Sequence, residues 1–226
     1  MNYQGTLNDV FTLAHELGHS MHSWLANHAQ PPQTAGYPIF IAEIASTANE
    51  ALLLDWLLRE KRGDAAFSAY LLNHYCDGFR GTVYRQTMFG EFEKMVHELD
   101  AAGTPLSPDG LGDQYYELNA TYHGPAVQAD RRISWEWARI PHFYYNFYVY
   151  KYSTSFCASQ IFAERILAGD TEARDRLLGL LRAGGSADPL DLVREAGVDL
   201  CDPETFRLAF ARFGRTVTQL AELLLG

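Results

Sequence analysis

The stretch that most limits how this chain can fold is "PIFIAEIASTANEALLLDWLL", residues 38–58. Placed on a helix, its apolar residues fall on nearly every side. A helix of that kind is stable in water only when other elements surround it. A second segment with the same character covers residues 143–168. Two helices that both need all-round cover imply a multi-helix bundle. The rest of the chain agrees, because apolar residues recur at helical spacing and strict two-residue alternation is scarce.

Local signals divide the chain into helices. Thr6-Leu-Asn-Asp9 has the spacing of a capping box, with Asp in place of Glu, and predicts a helix running to about Asn27. Residues 28–38 form a proline-rich connector. A helix is expected from Ile39 to about Arg62, stopping at Gly63-Asp64. Residues 65–100 read as helix, with Gly78, Gly81 and Gly90 marking a break or a close helix–helix approach. Residues 103–113 are expected to be loop, 114–121 a short helix and 122–134 irregular. Ile140-Pro141 marks a boundary, and a helix is expected from about Tyr145 to Ala168. Amphipathic helices over about 171–183, 189–196 and 203–225 complete an all-α chain. No repeat, low-complexity tract or linker divides it, so residues 1–226 read as one domain.

Composition excludes several function classes. Of 226 residues, 47% are apolar, enough for a real core, and the formal net charge is −10. Nucleic acids and anionic membranes are bound through basic patches, so neither is the expected partner. The cysteines at 76, 157 and 201 are odd in number and far apart, which suits a reducing cytoplasm rather than a disulfide framework. The first residues lack the basic and then apolar run of a signal peptide. No window reaches the roughly 18 uninterrupted apolar residues of a membrane span.

Chemistry concentrates in "VFTLAHELGHSMHSWLANH", residues 10–28. On a helix, His15 and His19 project from one face one turn apart, as two ligands of a tetrahedral zinc must. Glu16 lies about 100° round the helix from His15, where it can move a proton to and from water beside the metal. Gly18 reads as leaving room toward the metal, and Phe11, Leu13, Ala14, Leu17, Met21, Trp24 and Leu25 as burying the motif. A catalytic zinc needs a third protein ligand and one open position. In "FIAEIASTANEALL", Glu43 and Glu50 share a face seven residues apart. Glu43, set among Ile41, Ala42, Ile44 and Ala45, is the stronger ligand, because a carboxylate there is costly unless paired or metal-bound. Glu50 suits an acceptor that orients a ligand histidine, or an exposed helix position. His22 reads as packing behind the ligands, as substrate-facing, or as core filler. His123, in His-Gly-Pro, suits a flexible substrate-contacting loop.

Together, "HELGHSMH" and "FIAEIASTANE", with Glu43 twenty-four residues after His19, resemble the thimet oligopeptidase and oligoendopeptidase F family of zinc metallopeptidases, the latter branch more closely. The resemblance implies a zincin-like helical catalytic bundle, one Zn2+ on His15, His19 and Glu43, and Glu16 as general base. It also implies short, unstructured peptides as substrates. The stretch "ARIPHFYYNFYVYKYSTSFCAS" (138–159) carries it further, since the family has a histidine followed by tyrosines that bind substrate and oxyanion. His142, Tyr145, Tyr148 and Tyr152 are the counterparts. On the expected helix, Tyr145, Tyr148 and Tyr152 share one face, an aromatic core stripe or a row of donors.

Family members are considerably longer, and the likeness covers only their C-terminal catalytic portion. The chain therefore reads as an excised catalytic portion, a truncated product, or a chain completed by another polypeptide, the first suiting best. Each implies an exposed apolar face where the N-terminal half would dock, and hence self-association. The rival reading is a catalytically incomplete zinc-binding fragment that serves as a peptide- or partner-binding module.

Overall fold

The computed structural model describes residues 2–226. They form nine α-helices joined by short helical turns, with no strand among the described residues. The helices are α1 (Leu7–Ala29), α2 (Ile39–Glu60), α3 (Ala65–Phe79), α4 (Arg85–Ala101), α5 (Pro108–His123), α6 (Tyr150–Leu167), α7 (Thr171–Ala183), α8 (Pro189–Glu195) and α9 (Pro203–Leu225). A π-helical turn, Arg80–Tyr84, separates α3 from α4, and two 3-10 segments, Arg131–Arg139 and Pro141–Tyr145, precede α6. The chain divides into two compact units. One holds the residues up to Phe79 together with Thr154–Gly226; the other is Arg80–Ser153.

In the first unit, α2 is the central helix, as its all-round apolar sequence requires. Every residue from Phe40 to Ala48 is buried. Ile41 and Ile44 pack with Phe162 of α6, Leu181 of α7 and Val193 of α8 in one core. The hydroxyl of Ser155 on α6 donates to the Phe40 carbonyl at 2.6 Å, so α6 lies close against the α2 backbone. Helix α1 packs along α2 and α7, and α3 along α9. The capping box at Thr6 forms as read: the Asp9 amide donates to Thr6 Oγ1, and Asp9 Oδ2 accepts the Thr6 amide at 2.9 Å.

The second unit has its own core of Met88, Phe89, Phe92, Tyr115, Ile140 and Val149. Its polar centre is Glu136, whose carboxylate accepts from Arg85 at 2.6 Å and from the Tyr115 hydroxyl at 2.8 Å. Burial works to raise the Glu136 pKa, but the hydrogen bonds from Arg85 and Tyr115 outweigh it and hold the group below the ordinary carboxylate range.

Two expected boundaries move. The loop expected over 103–113 is cut short because α5 starts at Pro108, with Ser107 as its N-cap and proline in the first turn, where a missing N–H costs nothing. The helix expected from Tyr145 starts instead at Tyr150. Asn146 and Phe147 take positive φ values of 38° and 52°, a conformation no α-helix can contain.

Candidate metal centre

The centre is built where α1 crosses α2 at close range. Gly18 makes that approach possible. A Cβ placed there would lie 2.5 Å from Ser46 Cα and 2.8 Å from the Ala45 carbonyl oxygen, so no other residue fits without separating the helices. The glycine thus makes room for α2 and not, as the sequence suggested, for a metal. One turn away, the Asn49 side-chain amide donates to the Ala14 carbonyl at 2.6 Å and fixes the register.

With the helices so close, Glu43 reaches both histidines. Its Oε2 lies 3.2 Å from His15 Nε2 and 3.5 Å from His19 Nε2. The ligand atoms of His15, His19 and Glu43 all lie within 4.8 Å of one another. The Ser46 hydroxyl donates to Glu43 Oε2 at 2.9 Å, steadying the carboxylate. This partner went unread in the sequence, although a serine three residues on from a buried glutamate was a usable signal. Behind His15, the Nδ1–H donates to Glu50 Oε1 at 2.5 Å. With Nδ1 on Glu50, the His15 Nε2 faces Glu43.

Electrostatics follow from the geometry. Burial would lower the His15 pKa, but hydrogen bonds to Glu43 and Glu50 and their charges push it up to about 10. Burial would raise Glu43, but its bonds to His15 and Ser46 and the nearby histidine charges bring it below the usual value. Two imidazole nitrogens and one carboxylate oxygen are the donor set of a catalytic zinc, with three protein ligands and room for a fourth. His15 and His19 keep 27% and 28% of their side-chain surface, so water and a substrate can reach the donors. Glu16 is exposed on the same helix, next to His15.

Several expectations are corrected here. The side chains meant to bury the motif do so only in part. Phe11 and Leu25 are in the core, whereas Leu13, Leu17, Met21 and Trp24 are 43–59% exposed. They form an exposed stripe along one side of α1. His22 is fully buried and stacked on Tyr37, with ring centroids 3.5 Å apart, and neither ring nitrogen has a hydrogen-bond partner among the described residues. Burial and the neighbouring His19 push its pKa down to about 4, so it is a neutral packed ring rather than a substrate-facing group. His123 is the last residue of α5, not part of a loop, and its Nδ1 lies 2.9 Å from the Asn119 carbonyl oxygen.

The aromatic residues lie in the second unit. His142 and Tyr145 belong to the 3-10 segment, Tyr148 follows it, and Tyr152 lies in the first turn of α6. They share no helix face, yet their rings gather. Tyr148 is 5.6 Å from both His142 and Tyr152 and 5.8 Å from Tyr145, centroid to centroid.

An all-α scaffold thus brings together two motif histidines, a glutamate from the next helix and an exposed acid beside them, a donor set that could hold a divalent metal. The family model described as Peptidase family M3 matches residues 1–212, and the chain belongs to that family. It is 48% identical over 224 residues to the plasmid oligoendopeptidase F of Lactococcus lactis subsp. cremoris, covering 99% of this chain and 37% of the relative. It is 45% identical over 225 residues to the oligopeptidase PepF of Bacillus subtilis, covering 100% of this chain and 33% of that protein. The crystal structure of oligoendopeptidase-F from Enterococcus faecium superposes with a TM-score of 0.85 at 45% identity, over 96% of this chain and 39% of that one. The chain thus spans little more than a third of the length of these relatives.

Proposed function

We propose that this chain is the catalytic portion of a zinc-dependent oligoendopeptidase that cleaves short, unstructured peptides. The observation that carries the reading is the convergence of His15, His19 and Glu43 at a site open to water, with Glu16 beside it. His15, His19 and Glu43 would hold the zinc. When bound, zinc supplies Lewis-acid polarisation of the scissile carbonyl and of the attacking water. Glu16 takes the proton of that water and returns it to the departing amine. Glu50 keeps His15 in the tautomer whose Nε2 is free to ligate. Hydroxyls from Tyr145, Tyr148 and Tyr152, with His142, donate to the oxyanion. His22 packs behind the ligands, and His123 belongs to the substrate side.

Membership of peptidase family M3 supports peptide substrates, and the names of the relatives support oligopeptides. No helix among the described residues is long and apolar enough to cross a membrane. The three cysteines are free, which suits a cytoplasmic protein. The exposed stripe Leu13, Leu17, Met21 and Trp24 suits a surface that a further segment or a second copy covers.

Cleavage of a quenched fluorescent peptide, measured beside bound zinc, tests the reading. The expected result is zinc in both wild type and Glu16→Gln, with kcat at least ~10²-fold lower in the variant. Zinc with cleavage in neither favours a chain that only binds peptide or a partner. Equal cleavage by both would overturn the role of Glu16.

A further inference from the structure

We infer that one face of α4, formed by Gly90, Glu93 and His97, is the fixture that holds the Tyr145–Tyr148 turn in shape, with Glu93 as its positioning residue. The inference rests on the proposed role of these tyrosines as oxyanion donors.

The turn needs such a fixture. Asn146 and Phe147 are the two non-glycine residues with positive φ among the described residues, at 38° and 52°, and they are consecutive. Asparagine tolerates that region through its short polar side chain, but a bulky phenylalanine does not. Strain of this kind persists only where surrounding contacts enforce it. Here three contacts come from one helix face, at spacings of three and seven residues. The Phe147 amide donates to Glu93 Oε1 at 2.6 Å. The Phe147 ring lies against His97, centroids 4.6 Å apart. A Cβ on Gly90 would come within 3.1 Å of Tyr150 Cβ, so the glycine admits the chain just beyond the turn.

Glu93 is an expensive choice for a merely structural position. It is 4% exposed, and its Oε2 is buried with no hydrogen-bond partner among the described residues. Its neighbours around a cavity of about 290 Å3 include Phe92, Val96, Trp137 and Phe143. A buried carboxylate with so few partners is usually less stable than an apolar residue of the same size. What it provides is a side-chain oxygen that accepts one backbone N–H at short range. That N–H belongs to the strained residue between Tyr145 and Tyr148. The tyrosine rings on either side are thereby held in place before substrate arrives, as a donor to a developing charge must be.

The test is hydrogen exchange on the full 226-residue chain, read by mass spectrometry in wild type, Glu93→Ala and Glu93→Gln. In Glu93→Ala, amides over 145–149 are expected to exchange at least about tenfold faster, with α5 and the first unit unchanged. Glu93→Gln restores protection, because its side-chain carbonyl accepts the same bond. Peptide cleavage then shows a lower kcat in Glu93→Ala, with KM and zinc content unchanged and rescue by glutamine. Unchanged exchange over 145–149, or loosening spread evenly through the second unit, overturns the inference. If Tyr145→Phe and Tyr148→Phe leave kcat untouched, the role of the tyrosines fails, and the exchange result alone decides whether Glu93 holds the turn.

Discussion

The candidate metal centre of the first unit and the aromatic cluster of the second are built in opposite ways. The metal centre stands on two regular helices, α1 and α2, brought together by a glycine and stitched by Asn49. Its histidines are placed by helix periodicity, and the Glu43 and Glu50 carboxylates each have a defined partner. The aromatic cluster stands on 3-10 turns and a left-handed pair, and its rings converge although no common helix carries them. Regular backbone makes the first rigid through its own hydrogen bonds. The second depends on contacts borrowed from α4.

This contrast sets the expected sizes of perturbations. The largest is at the metal centre itself. Glu43→Ala removes a donor and should weaken zinc binding by more than the roughly 10–100-fold that Glu50→Ala costs through a loosened His15. Competition against a chelator measures both, and the reverse order would exchange the roles of the two carboxylates.

Next comes paired substitution of Gly18 and Gly90, a close-approach glycine from each unit. Gly18→Ala drives a Cβ into the α2 backbone, where nothing can yield, and should cost about 1–3 kcal/mol in unfolding experiments along with zinc affinity. Gly90→Ala brings a Cβ to 3.1 Å from Tyr150 Cβ, an overlap relieved by a shift of a few tenths of an ångström, and the better helix propensity of alanine offsets much of the strain, by up to about 1 kcal/mol. Equal losses at both positions would erase the distinction between a 2.5 Å overlap with backbone and a 3.1 Å contact.

The smallest effect concerns acid. In the second unit Glu136 has a folded pKa below its ordinary value of 4.5. Its contribution is therefore present above that value and lost as pH falls through the lower folded one. Glu136→Gln should flatten the acid side of the stability profile below about pH 4.5, measured by denaturant unfolding against pH. An unchanged slope would mean that Arg85 and Tyr115 do not depend on its charge.

The same contrast explains what the sequence made legible. The capping box at Thr6, a break near Gly78 and Gly81 and the helix ends near 29, 60, 183 and 225 follow from short-range signals and were readable, whereas Glu43 was singled out by its apolar setting and by the family resemblance. Gly18 was read as important but for the wrong neighbour, because sequence does not say which helix lies across from a small residue. Leu13, Leu17, Met21 and Trp24 were read as buried, since an apolar side chain gives no sign of whether its cover lies in the same chain. The start of α5 was missed despite a clear Ser-Pro-Asp cap signal at 107–109. The left-handed pair at 146–147 had no adequate signal at all, because what enforces it is Glu93, fifty-four residues away.

The proposed function stands or falls on whether His15, His19 and Glu43 form one zinc site. Elemental analysis of the chain after chelation, zinc re-addition and desalting tests it most directly, run on wild type, Glu16→Gln and His19→Ala. One zinc per chain is expected in wild type and in Glu16→Gln, and none in His19→Ala. Wild type without zinc, or His19→Ala with as much zinc as wild type, would contradict it.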